Sequence, residues 1–382
     1  VPSLVAIAVT GPRFVGALTA AWSGGDAVLP VDPRLPVPAR LALLEALAPA
    51  WVLGIDGAGH RRAGARPVAP GDALVVATSG TTGEPKGVVL THEAVRASAL
   101  ASSARLGVDP ARDHWLACLP LSHVGGLSVV TRALLTGTPL TVLERFSASA
   151  VAACSGPTLV SLVATAMARV DARRFRAVLL GGGPPPPGPQ PANVIATYGS
   201  TETGSGIVYD GLPLDGVSVR IDGHGSVHVR GPMLGRAYRG PAGETPLLDA
   251  DGWLATGDAG ELVNGRLTVF GRQADVIVTG GEKVWPVAVE RVLGGVPALS
   301  SVAVIGAPDR TWGQRVVAVA VVRPGETPPT LADLRDVVRA SLPAYAAPRQ
   351  LVLVDRLPMT GLGKVRRQAV ARLLETAAES TP

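Results

Sequence analysis

The chain has 382 residues, enough for one large hydrophobic core and a second, smaller domain. At 47% apolar and 17% charged residues it reads as a globular enzyme rather than a disordered chain. Its net charge of +5 favours anionic small molecules, but only 4% of residues are aromatic and no long basic run is interleaved with them, which argues against nucleic acid as a partner.

The start, "VPSLVAIAVTGPRF", has no basic n-region, and its apolar run is too short for a signal peptide. No stretch approaches the roughly 18–20 apolar residues needed to cross a bilayer. A cytoplasmic protein without a membrane span is expected. Up to about residue 70, "FVGALTAAW" and "ARLALLEALA" have helical spacing, and "AWVLGI" is a short buried strand. The next strand candidates are "ALVVAT", "GVVL", "HWLACLP", "PLTVL", "AVLLGG" and "NVIATYG". Helical stretches separate several of them, notably "EAVRASALASSARLG" and "VTRALLTG". Such alternation predicts an α/β domain with at least partly parallel sheets. The segment "GPPPPGPQP" (183–191) reads as a stiff surface loop. Cys118 and Cys154 lack metal spacing and are expected to be buried free thiols in a reducing compartment.

From about 211 to 270 short strands and Gly-rich turns predict a small β-rich subdomain. After "GRQADVIVTGG" come a helix from Pro286 to near Gly294, the strands "SVAVIG" and "VVAVAVV", the helix "LADLRDVVRASL" and the strand "QLVLV". Pro in the first turn and Gly just past the last is the expected asymmetry of a helix. These elements make a small α+β C-terminal domain, within the usual range of domain sizes.

The stretch "SGTTGEPKG" (79–87) looks made for phosphate. A Walker A loop needs G-x-x-x-x-G-K-[ST] followed by a helix. Here position 85 is Pro, Gly87 follows Lys86, and "VVLTH" reads as a strand, so that motif fails on spacing and context. There remains a loop between two strands, whose amides, the hydroxyls of Ser79, Thr81 and Thr82, and Lys86 can wrap a polyphosphate. Alone it would pass for an ordinary Gly/Thr turn.

Four partners follow it in order: "TYGSTETG" (197–204), "GWLATGDAGEL" (252–262), "VFGRQADVIVTGGEKVWP" (269–286) and "LPMTGLGKVRR" (357–367). The series resembles the signature motifs of the adenylate-forming superfamily, which includes acyl- and aryl-CoA ligases, peptide-synthetase adenylation domains and beetle luciferases. The resemblance covers residues 73–370 or so. It implies a large N-terminal adenylate-forming domain (1–271) carrying the β-rich subdomain, a hinge (272–275) and a mobile C-terminal domain (276–382). The region ahead of the phosphate loop is shorter than in most members.

The resemblance also implies an order of chemistry in which a carboxylate attacks the α-phosphorus of ATP and coenzyme A then displaces AMP, with Mg²⁺ assisting. On it, Ser79, Gly80, Thr81, Thr82, Gly83 and Lys86 would hold the β- and γ-phosphates. Gly181, Gly182 and Gly183 would line the adenine pocket, and Thr197, Tyr198, Gly199 and Ser200 continue the nucleotide site with Tyr198 against adenine. Thr201 would bond the α-phosphate, Glu202 would hold Mg²⁺, and Asp258 and Arg272 would contact the ribose. Lys364 corresponds to the lysine that bridges carboxylate and α-phosphate during adenylation. His123, in "LPLSHVGGL", would line the channel where acid and thiol meet. Amino-acid-activating members carry an aspartate in this motif, so Ser122-His123 disfavours an amino-acid substrate. Gly280 and Gly281 would let the pantetheine arm pass, while Ala274 stands at the hinge position where Asp or Lys is common.

The stretches "HVGGLSVVTRALLTG", "TLVSLVATAMARV" and "TYGSTETGSGIVYDGLPLDGV" are similar to one branch, the o-succinylbenzoate–CoA ligases of menaquinone biosynthesis, in their actinobacterial form. That acid is a dicarboxylate, so its second carboxylate needs a polar or cationic partner. Arg132, Ser161 and Thr165 are the candidates, and for Arg132 a structural role is equally open. The alternatives are another aryl- or acyl-CoA ligase, one performing a single half-reaction, or a non-catalytic nucleotide- or acyl-CoA-binding relative. A homo-oligomer is compatible with the sequence.

Overall fold

The fold is taken from a computed structural model that describes residues 1–78, 84–359 and 365–379. The predicted loop residues Ser79, Gly80, Thr81, Thr82 and Gly83, and Lys364, lie outside the described residues.

Leu4–Ile7 and Ala27–Pro30 are apolar runs that pair in parallel, and Trp51–Leu53 pairs in parallel on the other side of Leu4–Ile7. Continuous apolar runs suit strands covered on both faces. Helix Gly11–Ser23, with Pro in its first turn, returns Phe14 and Leu18 to the core between them. Asp72–Thr78 joins the same sheet in parallel, and Lys86–Thr91 returns antiparallel beside it. The phosphate-like loop therefore leaves the carboxyl end of one strand and re-enters at the start of the next. "AWVLGI" is a strand only over Trp51–Leu53, and Trp51 is 46% exposed because just the short Gly59–Arg61 strand lies outside it.

A second sheet holds Leu140–Val142, Trp115–Ala117, Leu159–Leu162, Ala177–Leu180 and Val194–Gly199 as parallel neighbours, then Gly206–Tyr209 antiparallel. Between the two sheets lie helices His92–Leu106 and Val124–Thr136. Thr91 caps the first through its hydroxyl, and Gly107 ends it in the left-handed region at φ +56°. Cys118 is buried and Cys154 partly buried, both as free thiols. The 183–191 segment carries neither helix nor strand.

The predicted β-rich region divides. Ser218–Ile221, Ser226–Arg230, Leu254–Val263 and Arg266–Arg272 form an antiparallel sheet of their own. Ala237–Gly240 and Gly243–Pro246 leave it and extend the first sheet, pairing as Ala237↔Val89, Tyr238↔Val88 and Arg239↔Gly87. Charge explains the departure. Arg236 makes a two-pronged bond to the buried Asp72, at 2.7 and 2.6 Å. Arg239, 2% exposed, donates to the carbonyls of Leu47, Arg66 and Pro67. A buried guanidinium needs such partners, and pairing with the first sheet brings Arg236 to Asp72 and Arg239 to the carbonyls at the end of helix Val37–Leu47 and in the 66–67 loop.

The strands after residue 276 gather around a long hairpin, Leu299–Asp309 with Gly313–Val322, flanked by Ile277–Thr279 and by Gln350–Leu353. Helices Pro286–Leu293 and Leu331–Arg339 cover it, the latter opened by a Thr330–Asp333 capping box. Two apolar clusters built only from residues 277–374 fill its faces. Arg367, at the start of helix Arg367–Glu379, reaches Asp275 at 3.0 Å and Glu290 at 2.9 Å. It thereby ties the segment just after residue 364 to the Gln273–Asp275 turn.

Candidate functional site

The motif-bearing residues meet where strands of both sheets end. Gly181 follows Ala177–Leu180, Ser200 follows Val194–Gly199, and Thr78 closes Asp72–Thr78, each at a carboxyl end. In open α/β sheets this is where ligands bind.

Two glycines there are required by close approach. A Cβ on Gly181 would stand 2.7 Å from Thr197 Oγ1, which itself donates to the Leu180 carbonyl at 3.1 Å. A Cβ on Gly199 would stand 2.1 Å from the Ser205 carbonyl, where the 200–205 turn folds tightly back. Gly182, at φ +82°, continues the glycine run, and Gly183 follows. In the turn, the Ser200 amide donates to Thr203 Oγ1 at 2.8 Å, and the Thr201 carbonyl accepts from Gly204 at 3.0 Å. Ser200, Thr201 and Glu202 are thus presented by a braced turn.

Tyr198 sits inside this corner, and its hydroxyl donates to Asp258 Oδ2 at 2.8 Å. Asp258 also meets Arg272 Nε at 3.1 Å. The two acid–base partners are cross-strand neighbours, since Asp258 pairs with Arg272 in the antiparallel sheet. Arg272 further donates to the Thr256 carbonyl at 2.8 Å. Burial, and after it the Asp258 charge, push the Tyr198 phenol well above its ordinary value. Tyr198 therefore stays protonated and donates, and the Asp258 carboxylate is flanked by the Tyr198 hydroxyl and the Arg272 guanidinium. A carboxylate so held can accept from a pair of sugar hydroxyls, with the tyrosine ring as a flat apolar wall.

Glu202 lies in the same cleft. Its Oε1 accepts from Tyr238 at 2.9 Å, and its carbonyl accepts from Gly235 at 2.8 Å. The Lys86 ammonium stands 3.8 Å above the centre of the Tyr238 ring. Burial first, and then the Glu202 charge, raise the Tyr238 phenol, so it too remains a donor. Among the described residues no group of three or more His, Cys, Asp or Glu side chains is placed to hold a metal. One carboxylate completed by phosphate oxygens and water is the usual way Mg²⁺ is held beside a nucleotide, and Glu202 is a carboxylate in that position. Tyr238 was absent from the sequence reading. Its signal was the alternation in "GRAYRG", which sends one residue to the cleft and the next to the core, but which side faces the cleft depends on the strand's register.

His123 is the residue before helix Val124–Thr136, and its carbonyl accepts from Gly126 and Leu127. The Asp32 carboxylate feels its charge. Burial pushes that carboxyl up, the Arg34 bond at 2.9 Å and His123 pull it down, and the net effect is below the ordinary value. Nothing in the sequence signalled that Asp32 stands within electrostatic reach of His123.

No hydrogen bond among the described residues joins the three acid-pocket candidates to one another. Arg132 is 2% exposed; it donates to Ser102 at 2.8 Å and Ser205 at 2.7 Å rather than to Ser161 or Thr165. Its Nη1 is buried without a partner among the described residues. Ser161 is buried in strand Leu159–Leu162, and Thr165 is exposed on the short helix Ala164–Met167. Gly280 and Gly281, at φ +59° and +86°, form the two-residue turn of the hairpin Ile277–Thr279/Glu282–Val284. Both central residues of such a turn take positive φ.

The sequence model of the AMP-binding enzyme family matches residues 58–271, and that of the AMP-binding enzyme C-terminal domain matches residues 288–364. The chain belongs to the AMP-binding enzyme family. A probable 2-succinylbenzoate–CoA ligase of Mycobacterium tuberculosis is 42% identical over 325 residues, covering 78% of this chain and 84% of that protein. The o-succinylbenzoate CoA synthetase of Bacillus subtilis, solved with its acyl-adenylate intermediate, superposes with a TM-score of 0.82 at 28% identity. That match covers 96% of this chain and 88% of the other. The same synthetase, solved with ATP and magnesium, gives a TM-score of 0.81 at 28% identity, covering 96% and 88%. The α/β architecture with a smaller C-terminal part is thus that of adenylate-forming enzymes. No helix among the described residues is long and apolar enough to cross a membrane.

Proposed function

We propose that this chain is an ATP-dependent acid–thiol ligase that activates o-succinylbenzoate as its acyl-adenylate and transfers the acyl group to coenzyme A. The observation that carries the adenylation chemistry is the Tyr198–Asp258–Arg272 cluster, with Glu202 and Lys86 in the same cleft. The acid follows from the 42% identity to the mycobacterial ligase.

In this reading Asp258 accepts from the ribose hydroxyls and Tyr198 covers the base. Lys86, with residues 79–83, faces the β- and γ-phosphates, and Thr201 meets the α-phosphate. Glu202 would hold Mg²⁺, which supplies charge neutralisation on the phosphates when bound. The protein's part in the first step is then positioning and charge stabilisation. Lys364 supplies the cation between the incoming carboxylate and the α-phosphate, and His123 borders the channel for acid and thiol. Gly280 and Gly281 present a turn without side chains to the pantetheine arm. For the second carboxylate of the substrate, the unpartnered Nη1 of Arg132 supports that residue as its anchor.

The proposed division is 1–271, a hinge at 272–275 and a mobile part at 276–382. The two apolar clusters built only from residues 277–374 support it. The protein is proposed to work in the cytoplasm within menaquinone biosynthesis, on small molecules rather than nucleic acid, and a homo-oligomer is compatible with this reading.

The test is a coupled assay of pyrophosphate release and thioester formation across a panel of carboxylic acids. Pyrophosphate release and a CoA thioester with o-succinylbenzoate are expected. Turnover of other aryl or acyl acids with none for o-succinylbenzoate would overturn the substrate, and no turnover with any acid would overturn the ligase reading.

A further inference from the structure

Lys86 and Glu202 carry opposite charges in one cleft, and both contacts run through a single side chain. The Tyr238 hydroxyl donates to Glu202 Oε1 at 2.9 Å, while its ring carries the Lys86 ammonium 3.8 Å from the centroid. We propose that Tyr238 is a positioning residue for the nucleotide's metal and phosphates, holding the Glu202 carboxylate and the Lys86 ammonium apart and aimed. The proposal rests on the nucleotide reading of this cleft and goes beyond it by assigning Tyr238.

The strand register makes the arrangement. Tyr238 pairs with Val88, so Lys86 is its diagonal neighbour on the same sheet face. Diagonal pairs lie within reach of aromatic and long side chains. Alternation sends Arg239 to the opposite face, where its three carbonyl bonds anchor the strand. The Arg236–Asp72 pair anchors it from the other end. Glu202 is brought alongside by the bond from the Gly235 amide to its carbonyl. Tyr238 therefore stands on a strand fixed at both ends, the condition for precise placement of a site.

Two physical consequences follow. A carboxylate and an ammonium left free in a half-buried cleft would close into a direct ion pair, each cancelling the charge the phosphates and metal need. The aromatic ring replaces that contact with a weaker cation–π one, which a polyphosphate can outcompete. The hydroxyl occupies Oε1 of Glu202, leaving Oε2 for a metal, and hydrogen-bonded neighbours of this kind orient metal-holding carboxylates.

The experiment compares full-length wild type with Y238F and Y238L by calorimetric titration of ATP, with Mg²⁺ and with chelator, alongside a melting curve for each variant. Y238F keeps the ring and loses the hydroxyl. It should bind ATP as wild type does in chelator but lose about 10- to 100-fold of the Mg²⁺-dependent gain in affinity. Y238L loses the ring as well, and should in addition bind metal-free ATP about two- to fivefold more weakly, because Lys86 then closes onto Glu202. Y238F with wild-type Mg²⁺ dependence overturns the proposal even if Y238L fails to fold. Equal weakening of both modes in Y238F, tracking a lowered melting temperature, also overturns it and leaves a structural tyrosine. Wild type that binds no Mg²⁺·ATP overturns both this proposal and the nucleotide reading. Wild type that binds it yet makes no o-succinylbenzoyl thioester removes only the acid assignment.

Discussion

Replacing Asp258 with Asn keeps the shape of the side chain and removes its charge. In the structure that carboxylate is 14% exposed, takes a bond from Tyr198 at 2.8 Å and meets Arg272 at 3.1 Å. If two ribose hydroxyls donate to it, each bond changes from a charged to a neutral acceptor. Hydrogen bonds to charged groups are worth about 1.5–3 kcal/mol and neutral ones about 0.5–1.5 kcal/mol. Two such changes cost about 2–3 kcal/mol, or about 30- to 150-fold in affinity. D258N should therefore weaken ATP binding by about that factor, read by calorimetry and as a raised KM for ATP in pyrophosphate release. The discriminating ligand is 2′,3′-dideoxy-ATP, which has no hydroxyls to donate. Wild type should bind it more weakly than ATP, and D258N should weaken it little further. If D258N weakens ATP and the dideoxy analogue equally, Asp258 does not hold the ribose and acts only by bracing Tyr198 and Arg272.

Lys364→Ala should impair adenylation far more than thioester formation from supplied acyl-adenylate, and equal loss in both half-reactions would contradict its assignment. R132A should raise the KM for o-succinylbenzoate with little change in ATP affinity. It should also lower the melting temperature, because Ser102 and Ser205 lose a buried partner worth about 1–3 kcal/mol; a lower melting temperature with unchanged KM would make Arg132 purely structural. Asp113→Asn tests a pair away from the site. Burial pushes the Asp113 carboxyl up, but the two-pronged Arg176 bond at 2.8 and 2.7 Å, with Asp109 and Thr158, brings it below its ordinary value. Its stabilisation is thus present above the unfolded carboxylate range and is lost as pH falls through the depressed folded value. D113N should melt earlier than wild type at neutral pH, with the gap closing at strongly acidic pH; a gap constant with pH would refute that origin.

Much of the helix and strand pattern was legible because burial imposes periodicity. The apolar runs "ALVVAT" and "AVLLGG" are strands covered on both faces, and helix Pro286–Leu293 ends just before Gly294. The corner that holds Tyr198, Glu202, Asp258 and Arg272, proposed for the nucleotide, was legible for a different reason. Close approach forces glycine at 181 and 199, and a charged or donor side chain at 198, 202, 258 and 272 leaves a residue-specific mark.

Tertiary structure decided what depends on partners distant in sequence. "GRAYRG" has the texture of the neighbouring β-rich segment, yet it pairs with residues 87–89, where Arg236 finds Asp72 and Arg239 finds three carbonyls. That pairing places Tyr238 between Lys86 and Glu202, residues separated from it by about 150 and 36 positions respectively. The packing of helix Val124–Thr136 against helix His92–Leu106 likewise brings Arg132 to Ser102, and its second bond goes to Ser205. A sequence records which residue types a site demands; the partners that desolvated charges find across the fold determine where those residues stand.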